Sequence, residues 1–559
     1  MNILNFPLWH AVWVTSLVVG WLIPNHYPPW TSFHLDAWIA CAMIPVSAIV
    51  IVRASPCTAW HGMALVVAIL LALPGMQFAF GLVRSAGNFW ISTAYLLGFL
   101  LAILTGGRWE HSEDRSLLDC LFLAIGTAAI LSVGLQLHQW LSIDGLELWS
   151  MGGGSTRPYA NFGQPNQLGT FLIWAILALA WALLRKRIGG CTAVGAAMFL
   201  LFGVALTASR TAWMAIAMLV VAAWLWRDLW SDARVPWIAT GLGLYFVICH
   251  FSIGGLGEVI LGGLPGDGSD IARITGESRP VIWAVAMDAA MQRPWFGFGW
   301  NQVALAQMAA ALNHRPLHVF FSTAHNLFLD FVLWCGIPIG IMVSAWLVWW
   351  FWSRIRMVRH AEHAILLLFL LVVANHALLE LPLHHAYFLL PVGLVIGALD
   401  VKLGVRPIFF AGRFAIAAGL LVATVLLALV IHDYARVEST YQTLRFEWAN
   451  IKTQPAQPPD VILLTQWRDF VRMVRFEPTD SMLEQDLQWL RDVTPLYPNA
   501  GFFLKIATAM ALNKRPQEAA LWLRRMCPIV SAVQCEAVKE TWAQRALGSP
   551  QIAAVAWPL

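Results

Sequence analysis

The chain has 559 residues, of which 59% are hydrophobic and only 12% charged, with a mean hydropathy of +0.66. An ordinary globular protein carries about twice that charge, so a soluble multidomain chain is excluded. The net charge of +4 is small, and the basic residues sit beside apolar runs, a pattern of membrane topology rather than of nucleic-acid binding.

A hydrocarbon core of about 30 Å takes about 20 mostly apolar helical residues per crossing. Runs of this kind recur along the sequence, at 8–23, 36–52, 61–81, 88–105, 117–138, 168–184, 191–207, 212–226 and 236–253. They resume after a polar interruption at 326–351, 364–379, 385–399 and 414–431. The chain is therefore expected to be all-α, a polytopic helical membrane protein with about thirteen transmembrane helices. The first run lacks a basic leader and a small-residue cleavage site, so it is expected to be a retained helix.

Two polar stretches interrupt the spans. The first, 139–167, holds Met151-Gly-Gly-Gly-Ser155 and Asn161-Phe-Gly-Gln-Pro-Asn-Gln-Leu-Gly169. The second, 254–324, opens on glycine-rich sequence that lacks the Gly-Lys-Ser/Thr ending of a phosphate-binding loop. Within it, 283–291 reads as a helix ended by Arg293-Pro294 and followed by Gly297-Phe-Gly-Trp300. Beyond residue 431 the composition becomes soluble and amphipathic. An Ala-rich helix to Leu512, a turn at Asn513-Lys-Arg-Pro516 and a helix over 518–526 make one tetratricopeptide-like hairpin. The expected organisation is a transmembrane domain over 1–431 and a soluble helical domain over 432–559.

Lys and Arg set the orientation. With the N-terminus inside, the inner loops carry Arg185, Lys186, Arg187, Arg354, Arg356 and Arg359, and hold about twice as many basic residues as the outer ones. An odd number of spans then places the tail outside. Cys527 and Cys535, the cysteines of that tail, are expected to form a disulfide in an oxidising compartment.

Charged residues near membrane depth are costly and mark function or a boundary. Arg210, in Thr207-Ala-Ser-Arg-Thr-Ala-Trp213, separates two apolar spans at their outer ends with almost no loop. A guanidinium there either snorkels to lipid head groups or clamps an anion, since it binds phosphate oxygens bidentately. Arg273 and Arg279 can add to such a clamp from the second loop. His325 lies where that loop re-enters the membrane, and its ordinary pKa of about 6.5 suits a general base. His314 and His318 have helical spacing, but no Glu or Cys pattern accompanies them, so no metal is expected. His384, His385 and Tyr387 fall on the same outer side, where aromatic residues commonly girdle the membrane.

Ser209-Arg210 at a span end, Arg279-x-x-x-Trp283 with Pro294-x-x-Gly297-x-Gly299, and His325-Asn326 with the glycines beyond together resemble the bacterial O-antigen ligase and O-oligosaccharyltransferase superfamily. Gly163-Gln164-Pro165-Asn166, and Glu380-Leu-Pro382 with Tyr387, look most like its protein O-glycosylation ligase branch. The resemblance implies an undecaprenyl-diphosphate-linked glycan donor, an acceptor protein with Ser or Thr, surrounding membrane lipids, no cofactor and no nucleic acid. Under it, His325 takes the acceptor proton and Arg210, Arg279 and Arg273 hold the diphosphate. Gln164, Asn166 and Tyr387 position donor or acceptor. A core-sugar or polysaccharide acceptor is the alternative within the superfamily, and a glycan transporter the alternative outside it. Transport fits less well, because the charges cluster at one face rather than along a central path.

Overall fold

The computed structural model describes residues 8–53, 57–111, 116–152, 157–261, 269–451 and 454–558, with side chains except at 53 and 255–278. The first helices are α1 (Leu8–Leu22), α2 (Phe33–Arg53), α3 (Gly62–Ala79), α4 (Ala86–Glu110) and α5 (Leu117–Trp140). Next come α6 (Pro165–Leu184), α7 (Gly190–Leu206), α8 (Arg210–Leu225), α9 (Val235–Leu261), α10 (Ser269–Gln292) and α11 (Val303–Ala310). The chain continues through α12 (Leu327–Cys335), α13 (Ile337–Met357), α14 (Ala361–Ala377), α15 (Ala386–Lys402) and the long α16 (Arg413–Trp448). The tail holds α17 (Thr465–Arg475), α18 (Glu484–Val493), α19 (Ala500–Leu512), α20 (Pro516–Met526), α21 (Ala532–Gly548) and α22 (Pro550–Ala553). Two short strands, β1 (Cys57–Trp60) and β2 (Phe409–Gly412), pair antiparallel with Cys57 opposite Gly412 and Trp60 opposite Phe409.

Among the described residues, 7 helices are long and apolar enough to cross a membrane: α2 to α6, α9 and α16. Apolar α1, α7, α8, α14 and α15 run only 15, 17, 16, 17 and 17 residues. Each predicted span coincides with one helix except that over 326–351, which is two. Gly336 breaks it, at a φ of 86° that disfavours any residue with a Cβ. A Cβ there would also stand 2.3 Å from the carbonyl oxygen of Trp295. The backbone groups freed by the break find partners in the preceding loop. Ile337 N–H donates to Pro294 O at 2.7 Å, and Leu333 O accepts from Phe298 N–H at 2.7 Å. The Pro294-x-x-Gly297-x-Gly299 motif thus follows from backbone approach, for a Cβ on Gly297 would lie 2.4 Å from Leu333 O. The helix predicted over 283–291 is the 24-residue α10, with Pro280 inside it.

The chain divides into two compact units. The first comprises 1–70, 94–272 and 348–427. Its core is aromatic at the centre: Trp174 of α6 stacks on Phe369 of α14 at 3.9 Å and donates its indole N–H to the Phe369 carbonyl. Helices α4 and α15 approach through glycines, since a Cβ on Gly397 would lie 1.9 Å from Ile103 O. One end is closed by ion pairs: Lys402 contacts Glu110 at 2.9 Å and Glu362 at 3.0 Å, and buried Arg354 meets Asp400 at 2.9 Å. The opposite end, where α6 and α15 begin and α14 finishes, is polar but not a simple set of ion pairs.

The second unit comprises 71–93, 273–347 and 428–559. The predicted hairpin forms as α19 and α20, and Phe503, Ile506, Met510, Leu523 and Met526 build its core together with Met308 and Ala311. Asp433, wholly buried, accepts from the N–H groups of Ile462, Leu463 and Leu464 at 2.9, 2.6 and 3.0 Å, fixing the entry to α17. Cys527 and Cys535 are bonded, with Cα atoms 5.2 Å apart, across the turn that a Ser531–Gln534 capping box starts into α21.

Candidate functional site

The polar end of the first unit is built around the loop segments 141–152 and 157–164, which two glutamines hold in place. Gln139, at the end of α5, accepts from the N–H groups of Tyr159 and Ala160 at 3.1 and 2.8 Å. It donates to the carbonyls of Ala160 and Met151 at 2.7 and 3.1 Å. Gln136, one turn earlier, donates to Pro158 O and Gly203 O at 3.1 and 3.0 Å. Asn161 adds bonds to Leu22 O and Trp149 O. A buried loop needs such partners, because each unpaired backbone group would cost about as much as a lost hydrogen bond.

That loop delivers Arg157, whose Nε donates to Thr207 O at 2.9 Å and Nη2 to Asn166 Oδ1 at 3.2 Å. Asn166 and Gln164 both donate to the Glu380 carboxylate, at 3.2 and 3.4 Å. Burial lowers the Arg157 pKa, Glu380 opposes that shift, and Arg210 adds to it. Arg210 is exposed as the first residue of α8, capped by Ser209, whose hydroxyl accepts from Ala212 N–H. One carboxylate therefore lies among two amides and an arginine, with a second guanidinium close enough to repel the first.

Beside it, the Gln167 amide nitrogen lies 2.8 Å from His385 Nε2. Its amide oxygen accepts from the Tyr387 hydroxyl. Tyr387 is 1% exposed, stacked on His385, and its own carbonyl accepts from the Trp21 indole. Buried Asp36 takes the backbone N–H groups of Ala386 and Tyr387 and the hydroxyl of Tyr95. In the loop after α1, burial pushes the His26 imidazole down to about 4, against a backbone hydrogen bond at Asn161. Gly163 packs on that ring so closely that a Cβ would meet Nδ1 at 2.9 Å.

The second unit holds His325 and Arg279, whereas the Arg273 side chain lies outside the described residues. His325 has a left-handed φ of 52° and directly precedes Asn326, which caps α12 by accepting from Phe328 and Leu329 N–H. Asp330, 3% exposed, accepts from Ala324 N–H at 2.8 Å. Trp283 donates its indole N–H to Ala324 O at 3.0 Å. That bond ties α10 to the backbone beside His325, and Arg279, four residues before Trp283, shares the same helix face. The spacing of Arg279-x-x-x-Trp283 is thereby explained. His314 is paired with Asp288 at 3.1 Å. Among the described residues no group of three metal-binding side chains converges.

Reading of motifs alone missed Arg157, Gln139 and Gln167, and placed Glu380 only in a motif and His385 only at the outer girdle. Their signal was weak: Gln167 ends the Gly163-Gln-Pro-Asn-Gln string, and Glu380 begins Glu-Leu-Pro.

Fold and site define a polytopic helical membrane protein with arginine- and histidine-bearing polar elements. Known proteins narrow this. The O-antigen ligase family model matches 193–344, the protein glycosylation ligase model 158–183, and the C-terminal model of virulence factor membrane-bound polymerases 364–529. A General O-oligosaccharyltransferase of Acinetobacter baylyi (strain ATCC 33305 / BD413 / ADP1) is 27% identical over 525 residues, 91% of this chain and 90% of that one. A ComP-specific O-oligosaccharyltransferase of the same organism is 25% identical over 338 residues, 58% of this chain and 59% of its own length. The resemblance read from the motifs is borne out: the chain is similar to the O-antigen ligases and O-oligosaccharyltransferases.

Proposed function

We propose that this protein is an O-oligosaccharyltransferase. It moves an oligosaccharide from undecaprenyl diphosphate onto Ser or Thr hydroxyls of proteins at the periplasmic face of the bacterial inner membrane. The observation that carries the reading is the similarity to the General O-oligosaccharyltransferase over 91% of this chain, which takes in both the polar end of the first unit and the helical tail.

In the proposed chemistry the acceptor oxygen attacks the anomeric carbon and forms the new C–O bond. The bond from that carbon to the diphosphate breaks, and undecaprenyl diphosphate leaves with the electron pair. His325 takes the hydroxyl proton. Arg210 and Arg279, with Arg273, hold the diphosphate, and no metal is needed because guanidinium groups carry the compensating charge. Gln164 and Asn166 position the donor through the Glu380 hub, while Tyr387, being buried, acts through Gln167. The shorter apolar helices α1, α7, α8, α14 and α15, together with α13, also cross the membrane, for about thirteen spans in all. The tail is then a periplasmic tetratricopeptide-like domain.

Purified full-length protein incubated with an undecaprenyl-diphosphate oligosaccharide and Ser/Thr acceptors tests the reading. The expected product is an acceptor heavier by one oligosaccharide. Growth of the lipid-linked glycan, or transfer only to a core sugar, would instead identify a polymerase or O-antigen ligase. A phosphatase fused after Leu559 should be active and one at Arg187 inactive; the reverse pattern overturns the topology.

A further inference from the structure

A cleft of about 350 Å3 opens in the second unit, away from His325, between the chain after α10 and the tail helices α18 and α20. Four arginines line it: Arg84, Arg293, Arg491 and Arg525. Two of them are neutralised in place. Arg491 forms a fork with Glu518 at 2.7 and 3.0 Å and a further bond to Glu484 at 2.9 Å, while Arg84 meets Asp492 at 3.5 Å.

The other two are not. Arg293 lies over the Phe298 ring at 4.9 Å and Arg525 over the Trp522 ring at 5.7 Å. Neither has a carboxylate within ion-pair distance among the described residues, and Arg525 Nε is buried without a hydrogen-bond partner. Four arginines against Asp492 and Glu518 leave an excess of two positive charges on this wall. Apart from Gln488, the remaining lining is apolar, including Leu305, Met308, Pro495 and Leu521.

We propose that this cleft docks the acceptor protein, through a segment in which an acidic side chain follows or precedes an apolar one. The carboxylate would bridge Arg293 and Arg525, and the apolar side chain would sit on Leu305 and Leu521. The inference rests on the transferase reading and names the partner that the tail serves. A sugar ring fits the lining less well. Saccharide hydroxyls are met by free carboxylates and amides, and here both carboxylates are engaged by arginine and the Gln488 amide is engaged by Arg491 and Asp492. Guanidiniums stacked on aromatic rings above an apolar floor are, by contrast, the composition of a peptide-binding hot spot.

The test uses full-length protein in lipid nanodiscs and fluorescent Ser/Thr peptides that carry either Asp or Lys beside a Leu. Anisotropy should give at least about tenfold tighter binding of the Asp peptide, the scale of one charge-assisted contact. Arg293→Glu with Arg525→Glu should reverse the preference and Arg293→Gln with Arg525→Gln should abolish it. Arg293→Lys with Arg525→Lys should retain it. Thermal melting of each pair separates loss of the site from loss of the fold. Equal binding of both peptides to wild type, or a preference that survives both the Glu and Gln pairs, overturns the proposal. Tighter binding of a carboxylated oligosaccharide than of the Asp peptide overturns the assignment to protein. Wild-type transfer in the donor assay is read separately, so failure of the transferase reading is not confused with failure of the docking site.

Discussion

Replacing Gln139 with Leu removes no group that touches substrate, yet it should disable the enzyme. The side chain is 5% exposed and satisfies four backbone groups of the loop that carries Arg157 and Gln164. Two of the four, the N–H and C=O of Ala160, belong to a residue with 0% exposure. Leaving them unpaired costs about 1–3 kcal/mol each, or about 2–6 kcal/mol together. The other two, on Tyr159 and Met151, are partly buried and recover part of their loss from water. The chain will move before it bears the whole penalty, so Arg157 and Gln164 should be displaced from Glu380. A loss of about 3 kcal/mol at this level corresponds to a turnover about 100-fold lower. Gln139→Glu is the useful companion, because it keeps an acceptor for both N–H groups and loses only the donor. It should fall between wild type and Leu. Transfer rate and thermal midpoint are measured on the same detergent-purified samples. Wild-type values of both for Gln139→Leu would show that the loop is held by something else.

His325→Ala should lower transfer by about 100- to 10,000-fold while leaving donor affinity nearly intact, the range expected when a general base is lost. Arg210→Ala should weaken donor binding and turnover together, with Lys a poor substitute because it cannot make a bidentate fork; unchanged donor affinity would remove the clamp. Gly336→Ala forces a side chain into φ 86° against Trp295 O, and strain of about 1–3 kcal/mol should depress the thermal midpoint by several degrees; an unaltered midpoint would contradict the tight crossing. His26 has a pKa of about 4 in the folded chain against 6.5 outside it, so protonation favours the unfolded state. Stability should be complete above pH 6.5 and fall by up to about 3 kcal/mol as pH drops towards 4. The loss should be smaller in His26→Gln, as followed by urea or thermal unfolding across that range.

Length and hydropathy made the helices legible, because burying backbone in lipid leaves few alternatives to a helix. The break at Gly336 was hidden for the same reason: Trp334-Cys-Gly-Ile-Pro-Ile reads as one more apolar stretch, and only the approach of Trp295 shows why the helix stops. Arg210, Arg279 and His325 stood out since charge is rare in such a chain. Gln139 and Gln167 did not, because a glutamine that satisfies buried backbone or fixes a histidine has no spacing rule. Arg157 looked like an ordinary loop cation until Asn166 and Glu380 were seen beside it.

The first unit is closed by residues far apart in the chain. Asp36 receives the N–H of Ala386, 350 positions later, and Cys57 pairs with Gly412, a similar distance along the chain. A ribosome adding about 5–20 residues per second needs about 20–70 s to make that stretch. Throughout this interval the early helices stand in the lipid with a buried-type aspartate and an open strand edge still waiting. Premature termination anywhere before residue 386 therefore leaves an unfinished bundle rather than a smaller working enzyme.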